Sequence, residues 1–258
     1  PPVRRSQMQT KRVTILVCDN VPEPDRSRFG DVPDQVSKHL NAVAASLGWR
    51  LALKPVDVRV AAPPETFDDT DLFVITGSAS EPYSALPWIV RLRRWVRTAH
   101  ARKARFFGIC FGHQIIAQAL GGETAKASGW EVGIVAMQQN FELLAGGQVA
   151  RTSSPPAAPT QPDDLRLLMS HQDEVTRLPD GAAHWLRGAD CVFQGMVFPG
   201  QIVTVQGHPE YWSEQIRSLY ERRRTTLGEE RTDAAQASAL GEHDGASVTA
   251  TALQHLLA

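Results

Sequence analysis

Arg105-Phe106-Phe107-Gly108-Ile109-Cys110-Phe111-Gly112-His113-Gln114-Ile115-Ile116-Ala117-Gln118-Ala119-Leu120 decides the reading of this chain. An aromatic and apolar run passes through a glycine-framed cysteine into a stretch with helical apolar spacing. Strand, tight turn and helix, with a nucleophile at the apex, is the layout of a nucleophile elbow. The flanking glycines belong to it because no bulky side chain fits beside so sharp a turn. The reading predicts Cys110 at a helix N-terminus, where the local positive potential favours thiolate over thiol. A buried structural cysteine at a strand end is the competing reading.

Toward the C-terminus, Gln201-Ile202-Val203-Thr204-Val205-Gln206 is rich in β-branched residues and reads as a strand. It runs into Gly207-His208-Pro209-Glu210. A thiol nucleophile needs a base, and the base needs an acceptor that fixes its tautomer and stabilises its imidazolium. His208 and Glu210 supply both from the end of one strand, where residues i and i+2 point to one side. The order cysteine, histidine, acid excludes an α/β-hydrolase, whose acid precedes its histidine.

On these two motifs the chain resembles the class I, triad-type glutamine amidotransferases, over about residues 12–222. The resemblance implies that Cys110, His208 and Glu210 are the catalytic residues. It also implies an oxyanion hole built from the main-chain N–H groups of Gly77 and Phe111. Gly77 follows the buried strand Asp71-Leu72-Phe73-Val74-Ile75-Thr76, and Ser78 beside it joins the substrate site. Gln114, on the first turn after the elbow, is implied to contact the amino-acid end of the substrate. Ser170-His171-Gln172-Asp173 resembles the family's substrate-side loop. That loop reads Ser-His-Gly-Asp in the GMP-synthetase-like branch and Ser-His-Gln-Asp in stand-alone γ-glutamyl peptidases. Gln172 and Asp173 both stand as candidates for the substrate α-amino group. His171 competes with His208 for the role of base, but it lacks the strand-end His-x-Glu arrangement.

Around the motifs, apolar strands alternate with helical patterns. Val13-Thr14-Ile15-Leu16-Val17 is a continuous apolar strand of the kind buried in a parallel sheet. Pro33 opens a helix closed by Gly48, and a second helix from about Pro87 buries Leu92, Trp95, Val96 and Ala99. Arg91, Arg93, Arg94 and Arg97 form its solvated face. Val56 to Val60 reads as a half-exposed strand. Gly133 to Met137, Leu165 to Met169 and Cys191 to Gln194 read as an antiparallel section. A later helix shows Trp212, Ile216, Leu219 and Tyr220 on one face. The expected fold is α/β: a doubly wound, mostly parallel sheet flanked by helices, with a small antiparallel section and the site at the strands' carboxyl ends. The expected organisation is a disordered tail over 1–11, a catalytic domain over 12–222 and a C-terminal helical appendage over 223–258. The Pro/Ser/Ala-rich stretch 150–162 reads as a surface loop at the rim of the site.

Composition narrows the partners. Among 258 residues, Lys+Arg 27 against Asp+Glu 28 gives no electrostatic case for nucleic acid or an anionic membrane. No apolar run approaches the roughly 20 residues of a membrane span. Cys18, Cys110 and Cys191 show neither metal spacing nor a disulfide framework, so a reducing, cytoplasmic setting is expected, with no metal and no cofactor. No phosphate-binding glycine loop or synthetase segment accompanies the site. The resemblance therefore implies hydrolysis of a γ-glutamyl amide through a γ-glutamyl thioester, with glutaminase or amidotransferase action leading. In that case a separate synthetase would take the ammonia. The alternatives are a stand-alone γ-glutamyl peptidase acting on glutathione-like substrates, and a catalytically silent regulatory or binding module.

Overall fold

The structure, a computed structural model, describes residues 10–140, 143–144 and 164–258. Its strands are β1 (Thr10–Val17), β2 (Arg50–Asp57), β3 (Leu72–Ile75), β4 (Phe106–Ile109), β5 (Glu123–Gln139), β6 (Leu165–Arg177), β7 (Ala183–Arg187), β8 (Gly195–Phe198) and β9 (Ile202–Val205). They form one sheet in the order β2-β1-β3-β4-β9-β8-β7-β5-β6. From β2 to β9 every pairing is parallel, and from β9 to β6 every pairing is antiparallel. β9 thus arrives late in the chain to sit beside β4, and that crossover builds the site.

Two-sided burial follows from the period of two along each strand. Val13, Ile15 and Val17, with Leu72, Val74, Phe107, Val203 and Val205, pack on one face of the sheet. There they meet α2 (Val32–Ser46), through Val36, Leu40 and Val43. Leu16, Phe73, Ile75, Phe106 and Ile202 point the other way. They meet α3 (Pro87–Ala101), through Ile89, Leu92 and Val96, and α4 (Phe111–Ala119), through Ile115 and Ile116. This is the doubly wound arrangement expected. α2 starts on a reciprocal cap, in which Asp31 and Asp34 each accept from the other's end of the first turn. A short α1 (Asp25–Phe29) precedes it.

Three expectations need correction. The half-exposed strand is Arg50–Asp57, whereas Val58 to Val60 already turn, with Val60 N–H bonded to Asp57 O at 3.3 Å. Pro55 is tolerated inside β2 because β2 is the edge of the sheet, where a missing donor costs little. Cys191 to Gln194 is a turn, closed by Gly188 N–H to Cys191 O at 3.1 Å, and the strands lie on either side as β7 and β8. A short apolar run carries no period that separates strand from connection. β1 also takes in Thr10 and Lys11, placed in the tail by the sequence reading. The 150–162 stretch lies outside the described residues.

Past β9 come α5 (Ser213–Arg222), α6 (Arg224–Leu227), α7 (Glu229–Ser238) and α8 (Gly245–Leu257). Ile216 and Tyr220 of α5 are fully buried, and the Tyr220 hydroxyl bridges Met169 O and Gly133 N–H. Val248, Leu253, Leu256 and Leu257 of α8 are buried in the same cluster as β1 and α2.

Candidate active site

Cys110 links β4 to α4 with φ 52° and ψ −104°, a positive φ that non-glycine residues avoid. Two features hold it there. The Cys110 N–H donates to Val205 O at 2.8 Å, fixing the elbow on β9. Gly112 lies so close to β3 that a Cβ would stand 2.2 Å from Ile75 O, so only glycine fits. Phe111 is the first residue of α4, where a helix leaves its N–H without an internal acceptor.

Because β9 pairs with β4, the residues just past β9 land beside the elbow. The His208 N–H is anchored to Leu168 O at 2.8 Å. His208 Nδ1 lies 2.8 Å from Glu210 Oε1, and both side chains are buried. A carboxylate accepts, so Nδ1 carries the proton and Nε2 is left as the free nitrogen, with Cys110 close enough to raise the ring's affinity for a proton. Tyr211 stacks flat on the imidazole, with centroids 4.2 Å apart and planes 4° apart. Burial by itself favours a neutral ring, but Tyr211, Glu210 and Cys110 outweigh it and hold His208 well above its ordinary value. Gly77 completes the cluster: a Cβ there would stand 2.9 Å from His208 Cε1 and 3.7 Å from Cys110 Cβ. The arrangement is able to move a proton between sulfur and a bound amine.

The remaining candidates surround this group. Gln114 is buried, and its amide NH2 donates to Asp173 O at 2.7 Å and to Gln206 Oε1 at 3.1 Å. Gln206 in turn directs its own amide to Cys110 Sγ at 3.6 Å. Ser78 Oγ accepts from Ser80 N–H at 3.1 Å. Gln172 donates to Ala127 O at 3.2 Å, and Asp173 Oδ1 accepts from the Tyr83 hydroxyl at 2.9 Å. His171 is engaged on both ring nitrogens, by Glu131 Oε2 at 2.7 Å and Asp173 O at 3.0 Å.

Cys110 lies where two cavities meet. The larger, about 440 Å³, is lined by His208, Tyr211, Asp19, Asp25, Gln35 and Arg222 among others. The smaller, about 120 Å³, is lined by Gln114, His171, Gln172 and Asp173 and lacks His208. Ser78 and Arg223 border both. A separate trio, Glu131, His171 and Cys191, brings one metal-ligand type of atom from each residue within 4.8 Å of the others. Its His171–Glu131 pair is already joined directly, and Gln194 Nε2 donates to the same carboxylate oxygen at 2.7 Å.

His113 lies beside the elbow but works as a strut. Phe193 O, at 2.9 Å from Nε2, can only accept, so Nδ1 is the acceptor for the Thr204 hydroxyl at 2.7 Å. Burial drives its pKa down from 6.5 to about 3. The unfolded chain therefore takes up a proton first as pH falls. The stabilisation is present above about pH 6.5 and is lost as pH drops toward 3, on the order of 5 kcal/mol in all. Urea melts at pH 7 and pH 4.5 check this: His113→Gln should lose less stability between the two than the parent. Equal losses in both proteins would remove His113 from the account.

Sequence reasoning missed Tyr211, which directly follows Glu210, and Glu131 and Arg223, which carry no local signal. Their contacts arise only from strand pairing and from the packing of α5.

A strained cysteine elbow on a parallel strand, with a His-Glu pair delivered by the neighbouring strand, is the layout of a cysteine nucleophile beside a base and its orienter in an α/β protein. The chain matches the family described as glutamine amidotransferase class-I over residues 29–224, and it belongs to that family. It is 29% identical over 218 residues to a glutamine amidotransferase-like protein of Schizosaccharomyces pombe, covering 80% of this chain and 82% of that one. It is 31% identical over 160 residues to gamma-glutamyl peptidase 3 of Arabidopsis thaliana, covering 60% of each. A glutamine amidotransferase of Thermotoga maritima shares the fold, with a TM-score of 0.68 over 95% of this chain and 96% of that one, at 17% identity. γ-Glutamyl amide hydrolysis is the chemistry these comparisons support at the level of the family. Among the described residues, no helix is long and apolar enough to cross a membrane.

Proposed function

We propose that this protein hydrolyses γ-glutamyl amides through a thioester on Cys110, and that its leaving amine is larger than ammonia. Cys110 Sγ attacks the δ-carbonyl carbon once its proton has passed to His208, whose raised proton affinity keeps it there. The main-chain N–H groups of Gly77 and Phe111 hold the developing oxyanion. His208 then delivers its proton to the amine nitrogen, the C–N bond breaks, and the γ-glutamyl thioester remains. Water gives a proton to His208 and attacks the thioester, and glutamate leaves as the thiol is restored. Glu210 holds Nδ1–H and stabilises the imidazolium throughout.

The position of His208 supports the assignment of sides. The leaving amine must sit where His208 can protonate it, which is the larger cavity. The γ-glutamyl group then occupies the smaller cavity, with Gln114 and Asp173. Ammonia is about the size of a water, which takes roughly 30 Å³ in the liquid. A space of about 440 Å³ on the amine side suits a peptide or substituted amine instead. This observation favours the γ-glutamyl peptidase alternative over glutaminase action with transfer of ammonia to a synthetase.

Incubation with glutamine, glutathione, a glutathione S-conjugate and asparagine tests the proposal, with released ammonia and glutamate both measured. Glutamate should form fastest from the peptides, and blocking the α-amino group or substituting asparagine should nearly eliminate turnover. Ammonia from glutamine alone would return the reading to amidotransferase. A folded protein that turns over none of the four would be the silent module.

A further inference from the structure

Three consecutive arginines span the end of α5 and the start of α6, and they differ in their partners. Arg222 pairs with the buried Asp25 at 2.6 Å. Arg224 is shared among Glu221, Glu229 and Asp233 at 2.6 to 2.9 Å. Arg223 turns inward: its guanidinium lies over the Trp130 ring, 5.1 Å from the centroid, and Nη1 donates to Ser170 Oγ at 2.8 Å. Among the described residues no carboxylate pairs with Arg223, although it borders both cavities that meet at Cys110.

The smaller cavity holds the opposite case as well. Its lysine, Lys126, is already paired with Glu81 at 3.1 Å. The Asp173 carboxylate accepts from the Tyr83 hydroxyl and, among the described residues, has no cationic partner. The cavity therefore presents one guanidinium without an anion and one carboxylate without a cation. A free amino acid end, with its α-amino and α-carboxylate groups, is the complementary ligand. A guanidinium held in place by stacking and by a neutral hydroxyl keeps donors free for a bidentate carboxylate.

We propose that Arg223 binds the α-carboxylate of the γ-glutamyl group and so makes the site selective for substrates in which that carboxylate is free. This rests on the γ-glutamyl amide reading above, with Asp173 facing the α-amino group. Arg223 comes from the far end of α5, so the specificity of the acyl pocket depends on a helix that follows the His208 motif.

The test uses γ-glutamyl p-nitroanilide, whose leaving amine has no carboxylate, and the same compound with its α-carboxylate converted to the α-amide. The parent protein should prefer the acid in kcat/KM by roughly 10- to 100-fold. Arg223→Gln should lose about that factor on the acid, mainly through KM, and lose nothing further on the α-amide. Arg223→Lys keeps the charge without the fork and should fall between them. If the parent cleaves acid and α-amide equally well, or Arg223→Gln keeps the parent's preference, the assignment is overturned while the hydrolase reading stands. A loss confined to glutathione would place the guanidinium against the leaving peptide and would also overturn it. If the parent cleaves no γ-glutamyl compound, the hydrolase reading fails and takes this one with it. Should Arg223→Gln not fold, the acid-to-amide ratio of the parent and of Arg223→Lys decides.

Discussion

Cys110→Ala should lose on the order of 10⁵-fold or more in kcat on any γ-glutamyl amide the parent cleaves, because no other group can form the thioester. The fold should survive. Cys110 N–H, which ties the elbow to Val205 O, is main chain and stays, and alanine keeps a Cβ of the same size at the strained φ. A melting temperature within a few degrees of the parent separates lost chemistry from lost structure. The same substitution should abolish covalent capture. A γ-glutamyl-directed electrophile should add once, at Cys110, which borders both cavities. Cys18 and Cys191 are buried, and burial pushes both thiols well above their usual range, so neither competes at neutral pH. Labelling of Cys18 or Cys191 with activity retained in Cys110→Ala would discard the proposed mechanism.

His208→Asn should cost nearly as much, roughly 10⁴- to 10⁶-fold in kcat, since both proton transfers pass through Nε2. Glu210→Gln should cost less, about 10³-fold. The amide still occupies the place beside Nδ1, but it stabilises the imidazolium poorly and admits the wrong tautomer. The pH profile is the second readout. Glu210 is among the groups that hold His208 well above its ordinary value against burial. Removing its charge should move the limb of the kcat/KM profile that reports His208 to lower pH. His171→Asn is the control, because His171 is tied to Glu131 and Asp173 O on the other side of the elbow. A larger kinetic loss from His171→Asn than from His208→Asn would reverse the two assignments.

The elbow and the His-x-Glu pair are legible in the sequence, whereas strand ends and side-chain packing are not. The elbow is readable because its signal is short, a cysteine framed by glycines between a strand and a helix, although the contact that demands Gly112 is with Ile75 O of β3. The His-x-Glu pair was readable because two residues share one strand end. Strand boundaries were less so. Val58 to Val60 and Cys191 to Gln194 carry strand-forming residues, yet both are turns, because pairing partners decide where a strand ends. The flat stack of Tyr211 on His208 could not be read either, since it depends on how the chain turns after Glu210.

The sequence by itself determined the family, the doubly wound core and the identity of the three candidate catalytic residues, because each rests on short-range patterns of apolar period, glycine and motif. Tertiary structure decided the rest of the site. Only the β4–β9 pairing puts His208 against Cys110. Only the packing of α5 against the rest of the site turns Arg223 toward Ser170 and Trp130, while Arg222 pairs with the buried Asp25 and Arg224 with acids at the surface. The division of space around Cys110 into a larger and a smaller cavity is set by elements far apart in the chain. Long-range packing fixes where a charge points and which neighbours it lacks, and neither is encoded in the residues immediately around it.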